Sequence, residues 1–138
     1  MRYLRVAVQV RVSFEIRDPF SFDLRIARRV LELKDHDPLV AATEIDQEQH
    51  TGRFVFQGGD WPDERRGKTA LAVEFRDRWK RVEFLHAAEW LAQRPPSVPD
   101  RLRQRELESY LVLEGYHGII PQDLLKEVVR LGCALEIR

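Results

Sequence analysis

LRVAVQVRVSFEI, residues 4–16, puts Leu4, Val6, Val8, Val10, Val12, Phe14 and Ile16 at the even positions, with Arg5, Gln9, Arg11, Ser13 and Glu15 among the odd ones. A period of two with β-branched and aromatic residues on one side is the mark of a half-buried strand, because successive side chains of an extended chain point to opposite faces. Thirteen extended residues would reach about 40 Å. A strand that long in a chain of 138 residues has to bend or twist within an antiparallel sheet.

Working outward, Asp18-Pro19 closes the strand and FSFDLRIARRVLELK carries Phe22, Ile26, Val30 and Leu33 at helical spacing. Ser21 or Asp23 starts this first helix, since a short oxygen-bearing side chain takes up free amide hydrogens and Asp suits the positive helix end. The run from Asp35 to Pro38 ends it. A hairpin is expected next, with a strand over 40–48, a turn around His50-Thr51-Gly52 and RFVFQ over 53–57 as the return strand. GDWPDERRGK, 59–68, reads as an exposed loop and TALAVEFR, 69–76, as a strand. From Asp77 the spacing turns helical, with Val82, Leu85, Ala88 and Leu91 on one side, until RPPSVP at 94–99 stops it. ESYLVLEGY, 108–116, favours a strand; DLLKEVVRL, after Pro121, a helix halted by Gly132; CALEIR a final strand. The last three form a strand-helix-strand unit, whose strands should run parallel.

Apolar residues make up 43% of the chain and charged residues 33%, too much of the former for a disordered segment. The proline-rich stretch is too short for an interdomain linker. The expectation is one domain, 1–138, of α+β class: a twisted, mostly antiparallel sheet led by the long N-terminal strand, with about three helices packed on one face. No run of residues approaches the length of a membrane span, Arg2, Arg5 and Arg11 interrupt what a secretory leader would need, and Cys133 stands alone, so a cytoplasmic location is expected.

The formal net charge is zero, but the order of charges is uneven. Residues 35–64 carry Asp35, Asp37, Glu44, Asp46, Glu48, Asp60, Asp63 and Glu64 against Arg53 alone, while the flanks are rich in arginine. Nucleic-acid binders need clustered Lys and Arg to neutralise phosphates, so the balance argues against that class. An acidic middle suits a basic protein partner, whose approach it would steer.

Within that middle, TEIDQEQH at 43–50 would, if extended, line Glu44, Asp46, Glu48 and His50 along one face. Neighbours on such a face lie about 7 Å apart, too far for consecutive carboxylates to close on one ion. The stretch therefore reads as a solvated strand face or an acidic docking surface; a metal site would need Asp35, His36 or Asp37 to fold back onto it. With the loop residues Asp60, Trp61, Asp63 and Glu64, the three carboxylates make a candidate partner-binding set in which Trp61 is an anchor.

GIIPQDLLKEVVRLGCALEIR, preceded by ESYLVLEG, resembles the C-terminal part of small bacterial domains that include immunity proteins against secreted toxins. The resemblance covers about the last thirty residues and brings with it no functional residue. Together with the acidic set, the expectation is a non-enzymatic protein-binding role whose concrete version is immunity- or antitoxin-like, with no cofactor or metal expected. An alternative is a metal-dependent nuclease or phosphodiesterase: Pro62-Asp63 followed by Glu74-Phe75-Arg76 resembles the loop-then-strand setting of PD-(D/E)xK nucleases. Arg76 there stands in place of the lysine, and a permanently charged guanidinium cannot act as a base. Self-association through an open edge of the long strand, giving a homodimer, is the remaining partner class. No phosphate-cradling glycine loop and no nucleophile elbow occur, and Cys133, after a helix end in an apolar strand, is expected to be buried and inert.

Overall fold

The computed structural model describes residues 10–57 and 82–138. Among them are five strands, β1 Arg11–Arg17, β2 Val40–Asp46, β3 Thr51–Phe56, β4 Glu108–Glu114 and β5 Ala134–Ile137, and four helices, α1 Leu24–Leu31, α2 Val82–Ala92, α3 Val98–Gln104 and α4 Gln122–Leu131. The fold is α+β, as the sequence indicates. Residues 4–9 of the opening stretch, the loop 59–68, the strand expected over 69–76, Trp61 and Trp79 lie outside the described residues.

The strands form one sheet in the order β2-β3-β1-β4-β5. Three of its pairings are antiparallel and β4–β5 is parallel, which is the strand-helix-strand unit anticipated around α4. Register makes the sheet two-sided. One row across it reads Thr43, Phe54, Phe14, Leu111, Leu135; the next reads Glu44, Arg53, Glu15, Tyr110, Ala134. The period-two pattern of the opening stretch thus becomes one apolar face and one charged face. Over Ser13–Arg17, β3 and β4 occupy both edges of β1.

The apolar face carries the core. Trp90 of α2 is fully buried and meets Phe14, Phe54 and Phe56, with ring centroids 5.2, 5.9 and 5.3 Å away. Aromatic rings at such distances attract edge to face or offset, beyond the area they bury. Phe84 meets Tyr116 edge-on at 4.7 Å. Leu31, Leu91, Leu124 and Leu131 complete the cluster from the helices. The buried stripe of α2 is Glu83, Phe84, Ala87, Trp90 and Leu91, while Val82 and Leu85 are exposed. The expected face was rotated, because VEFLHAAEWLA is apolar nearly all round and its spacing does not select one side.

Local chemistry sets the ends. Asp23 caps α1, its carboxylate accepting from the Arg25 amide at 2.9 Å; the helix stops at Glu32, in the left-handed region at φ 54°. Gly132, at φ 64°, ends α4, a conformation glycine adopts without strain. Two arginines then tie helix ends together. Arg94, 6% exposed, donates from Nε to the Trp90 carbonyl at 3.1 Å and from Nη1 to the Leu31 carbonyl at 2.9 Å, so it satisfies the C-terminal end of α1. Its guanidinium lies over the Trp90 ring at 4.6 Å. Burial pulls its pKa below the usual arginine value, and Asp37 and Glu32 partly offset that. Arg130 does the same for α2, donating to the Leu91 carbonyl at 2.6 Å and the Arg94 carbonyl at 3.1 Å. Carbonyls at a helix end lack partners within the helix, and a cation suits that negative pole.

Candidate functional site

Two charged regions stand out on the sheet. The first is the β2–β3 hairpin. Every residue from Ala41 to Gln49 is exposed, so both faces of β2 are open beyond Val40. Antiparallel pairing to β3 holds the strand, with a bulge between Val40 and Ala42. At the other side of the hairpin Phe22 packs over Gly52; any Cβ at that position would fall within the Phe22 ring. Gly52 is therefore a strand residue under an aromatic ring and not the turn that its identity suggests.

The turn comes earlier. Asp46 accepts amide hydrogens from Glu48 at 3.0 Å and Gln49 at 3.1 Å through one carboxylate oxygen, a side-chain-to-backbone bond that competes with strand continuation. His50, at φ 54°, completes the reversal, and its carbonyl accepts from the Asp18 amide at 2.9 Å. The expected strand over 40–48 thus ends at Asp46, and the every-second-residue alignment through Glu48 and His50 does not form. Glu44 remains on the charged face, where it forms an ion pair with Arg11. Asp46 and Glu48 stay exposed at the tip, with Ile45 beside them 47% exposed.

The second region is the charged face around Glu15, which is 1% exposed. Three arginines converge on its carboxylate, from β3, from β1 and from the residue after β5: Arg53 Nε at 2.9 Å, Arg17 Nη2 at 2.9 Å and Arg138 Nη2 at 3.3 Å. Glu136 accepts from Arg17 and Arg138, each at 2.9 Å. Glu114 sits 3.6 Å from both Arg53 and Arg138. Arg17 also lies over the Tyr110 ring at 3.8 Å. Among the described residues, three cations and three anions meet in this cluster. Burial alone would push the Glu15 carboxyl up, but hydrogen bonds from Arg53 and Arg17 prevail and hold it below the usual carboxylate range. The same pairing, against burial, raises Arg17. Only the odd-position residues of β1 hinted at this network.

Beside the hairpin, a shallow cleft of about 210 Å³ runs between the α1–β2 connection and β2, lined by Arg28, Lys34, Asp35, His36, Asp37 and Phe54 among others. Asp37 is occupied with the chain itself, accepting from the Leu39 amide at 3.0 Å. Among the described residues no three His, Cys, Asp or Glu side chains converge as a metal site requires. His86 is half-buried, with Nδ1 2.9 Å from the Gln57 carbonyl, where it donates. Cys133 is buried, and burial raises its thiol to about 11. No helix among the described residues is long and apolar enough to cross a membrane.

Asp60, Trp61, Asp63 and Glu64 of the expected partner-binding set, and Asp63, Glu74 and Arg76 of the nuclease reading, lie outside the described residues. Comparison with protein-family models, with curated proteins and with solved structures finds no match. The functional reading comes from the side chains themselves.

Proposed function

We propose that this chain is a non-catalytic protein-binding domain, immunity- or antitoxin-like, that captures a basic protein at the tip of the β2–β3 hairpin. The supporting observation is the open strand: Ala41 to Gln49 are exposed on both faces, with Ile45 on the face of Gly52 and Asp46 on the opposite one, followed by the exposed Glu48 in the turn. An exposed apolar side chain on one face of the strand can exclude water from a partner, while carboxylates on the other face and at the turn attract its basic surface. Glu44 contributes less, since Arg11 already compensates its charge. Asp46 holds the turn through one oxygen and keeps its charge toward solvent, so it both shapes and charges the tip. The reading carries a cytoplasmic location, with the one cysteine as a buried thiol.

The test is affinity capture from the source cells with the immobilised chain and with a variant carrying Asp46→Lys and Glu48→Lys, between about 0.05 and 0.5 M salt. The wild type should retain a basic protein at low salt and release it as salt rises, and the variant should retain none of it. Glu44→Gln should behave nearly as wild type. Equal capture by the doubly reversed variant would end this reading.

A further inference from the structure

We propose that β5 is a releasable strap and that the buried Glu15 carboxylate on β1 is its latch. β5 is the shortest strand among those described, and its ends, Ala134 and Ile137, are exposed while Leu135 and Glu136 are half-buried. Its backbone is held by the parallel ladder to Tyr110–Leu113, extended by Arg138 N–H to the Leu113 carbonyl at 2.8 Å and Gly115 N–H to the Arg138 carbonyl at 3.1 Å. On the apolar face, only the half-buried Leu135 joins the core. On the other face the hold is ionic, and it reaches across β4 to β1. Arg138 meets Glu15 directly at 3.3 Å, and Glu136 meets Arg17, itself held by Glu15.

Strands β1, β3 and β4 are anchored differently. Phe14 and Ile16 of β1, Phe54 and Phe56 of β3, and Leu111 and Leu113 of β4 are all within 2% of full burial. Local opening begins where few apolar groups are buried, which puts β5 ahead of β1, β3 and β4. A buried ion cluster adds little over an apolar one while complete, yet losing one member is strongly unfavourable. Without the Glu15 charge, the carboxylates facing Arg17, Arg53 and Arg138 among the described residues are Glu114 and Glu136. Arg138 is the one at the end of the shortest strand, so it leaves and β5 follows. Release uncovers the outer edge of β4, a row of backbone donors and acceptors able to take another strand.

Amide hydrogen exchange of the full chain at neutral pH tests this, reading Arg138, Gly115 and β5 against the β1–β3 ladder. Glu15→Gln should speed exchange at Arg138, Gly115 and β5 by about tenfold or more, the loss of one charged hydrogen bond, and should speed the β1–β3 ladder by clearly less. Glu136→Gln removes the strap's own carboxylate at a half-exposed position and should give the same local pattern; it decides alone if Glu15→Gln does not fold. Equal acceleration of β5 and the β1–β3 ladder, or no acceleration at β5, would overturn the proposal.

Discussion

Arg94 offers the sharpest test of how the helices are joined. Replacing it with methionine keeps the length and apolar stem but removes the donors to the Trp90 and Leu31 carbonyls, at 3.1 and 2.9 Å, and the cation over the Trp90 ring. Hydrogen bonds from a charged donor stabilise by about 1.5–3 kcal/mol each, and the ring contact adds about 1 kcal/mol. Against this stands the desolvation of a guanidinium that is 6% exposed, which the variant no longer suffers. The balance is a loss of about 3 kcal/mol, since the carbonyls at the end of α1 are left buried without donors. With a urea slope of about 2 kcal/mol per molar, the unfolding midpoint should fall by about 1.5 M. Arg94→Lys should lose nearly as much, because an ammonium cannot span two carbonyls as a planar fork does. A midpoint for Arg94→Met within about 0.3 M of wild type would show that the fork contributes nothing net.

Three further outcomes follow from the geometry. The folded-state pKa of Glu15 lies below its ordinary value, so its contribution is complete above the unfolded carboxylate pKa and disappears as pH falls through the folded one; urea midpoints of wild type should drop below about pH 4.5, and those of Glu15→Gln should drop less steeply. Gly52→Ala forces the Phe22 ring aside and should cost about 2 kcal/mol in thermal unfolding, with Phe22→Leu in the same chain recovering part of it. Cys133, its thiol raised to about 11, should present roughly one thiolate per thousand molecules at pH 8 and resist a disulfide-exchange reagent in the native state, then react promptly in urea.

The sheet was legible where one residue type dominated one face. Val12, Phe14 and Ile16 alternate with Arg11, Ser13 and Glu15, and α4 lies between Pro121, a residue that can start a helix, and Gly132, one that can stop it. The hairpin was misread because glycine signals a turn, whereas Gly52 serves a close approach by Phe22, thirty positions earlier, that spacing does not reveal. Asp46, with a side chain able to bond the next amides, was the better turn signal. The charged network was invisible for another reason. Glu15 meets Arg53 and Arg138 at separations of 38 and 123 residues, and only strand order and register bring them together. Of the acidic set, Glu44 is on the charged face but paired with Arg11, while Asp46 and Glu48 stand at the tip.

The most direct measurement places a photo-crosslinking amino acid at Ile45, and in a second protein at Val129, an exposed position on α4, and maps the products in extracts of the source cells. Joining of a protein through a Lys- and Arg-rich surface from position 45, and not from 129, is the predicted result. The same adducts from both positions, or adducts from 129 alone, would contradict it.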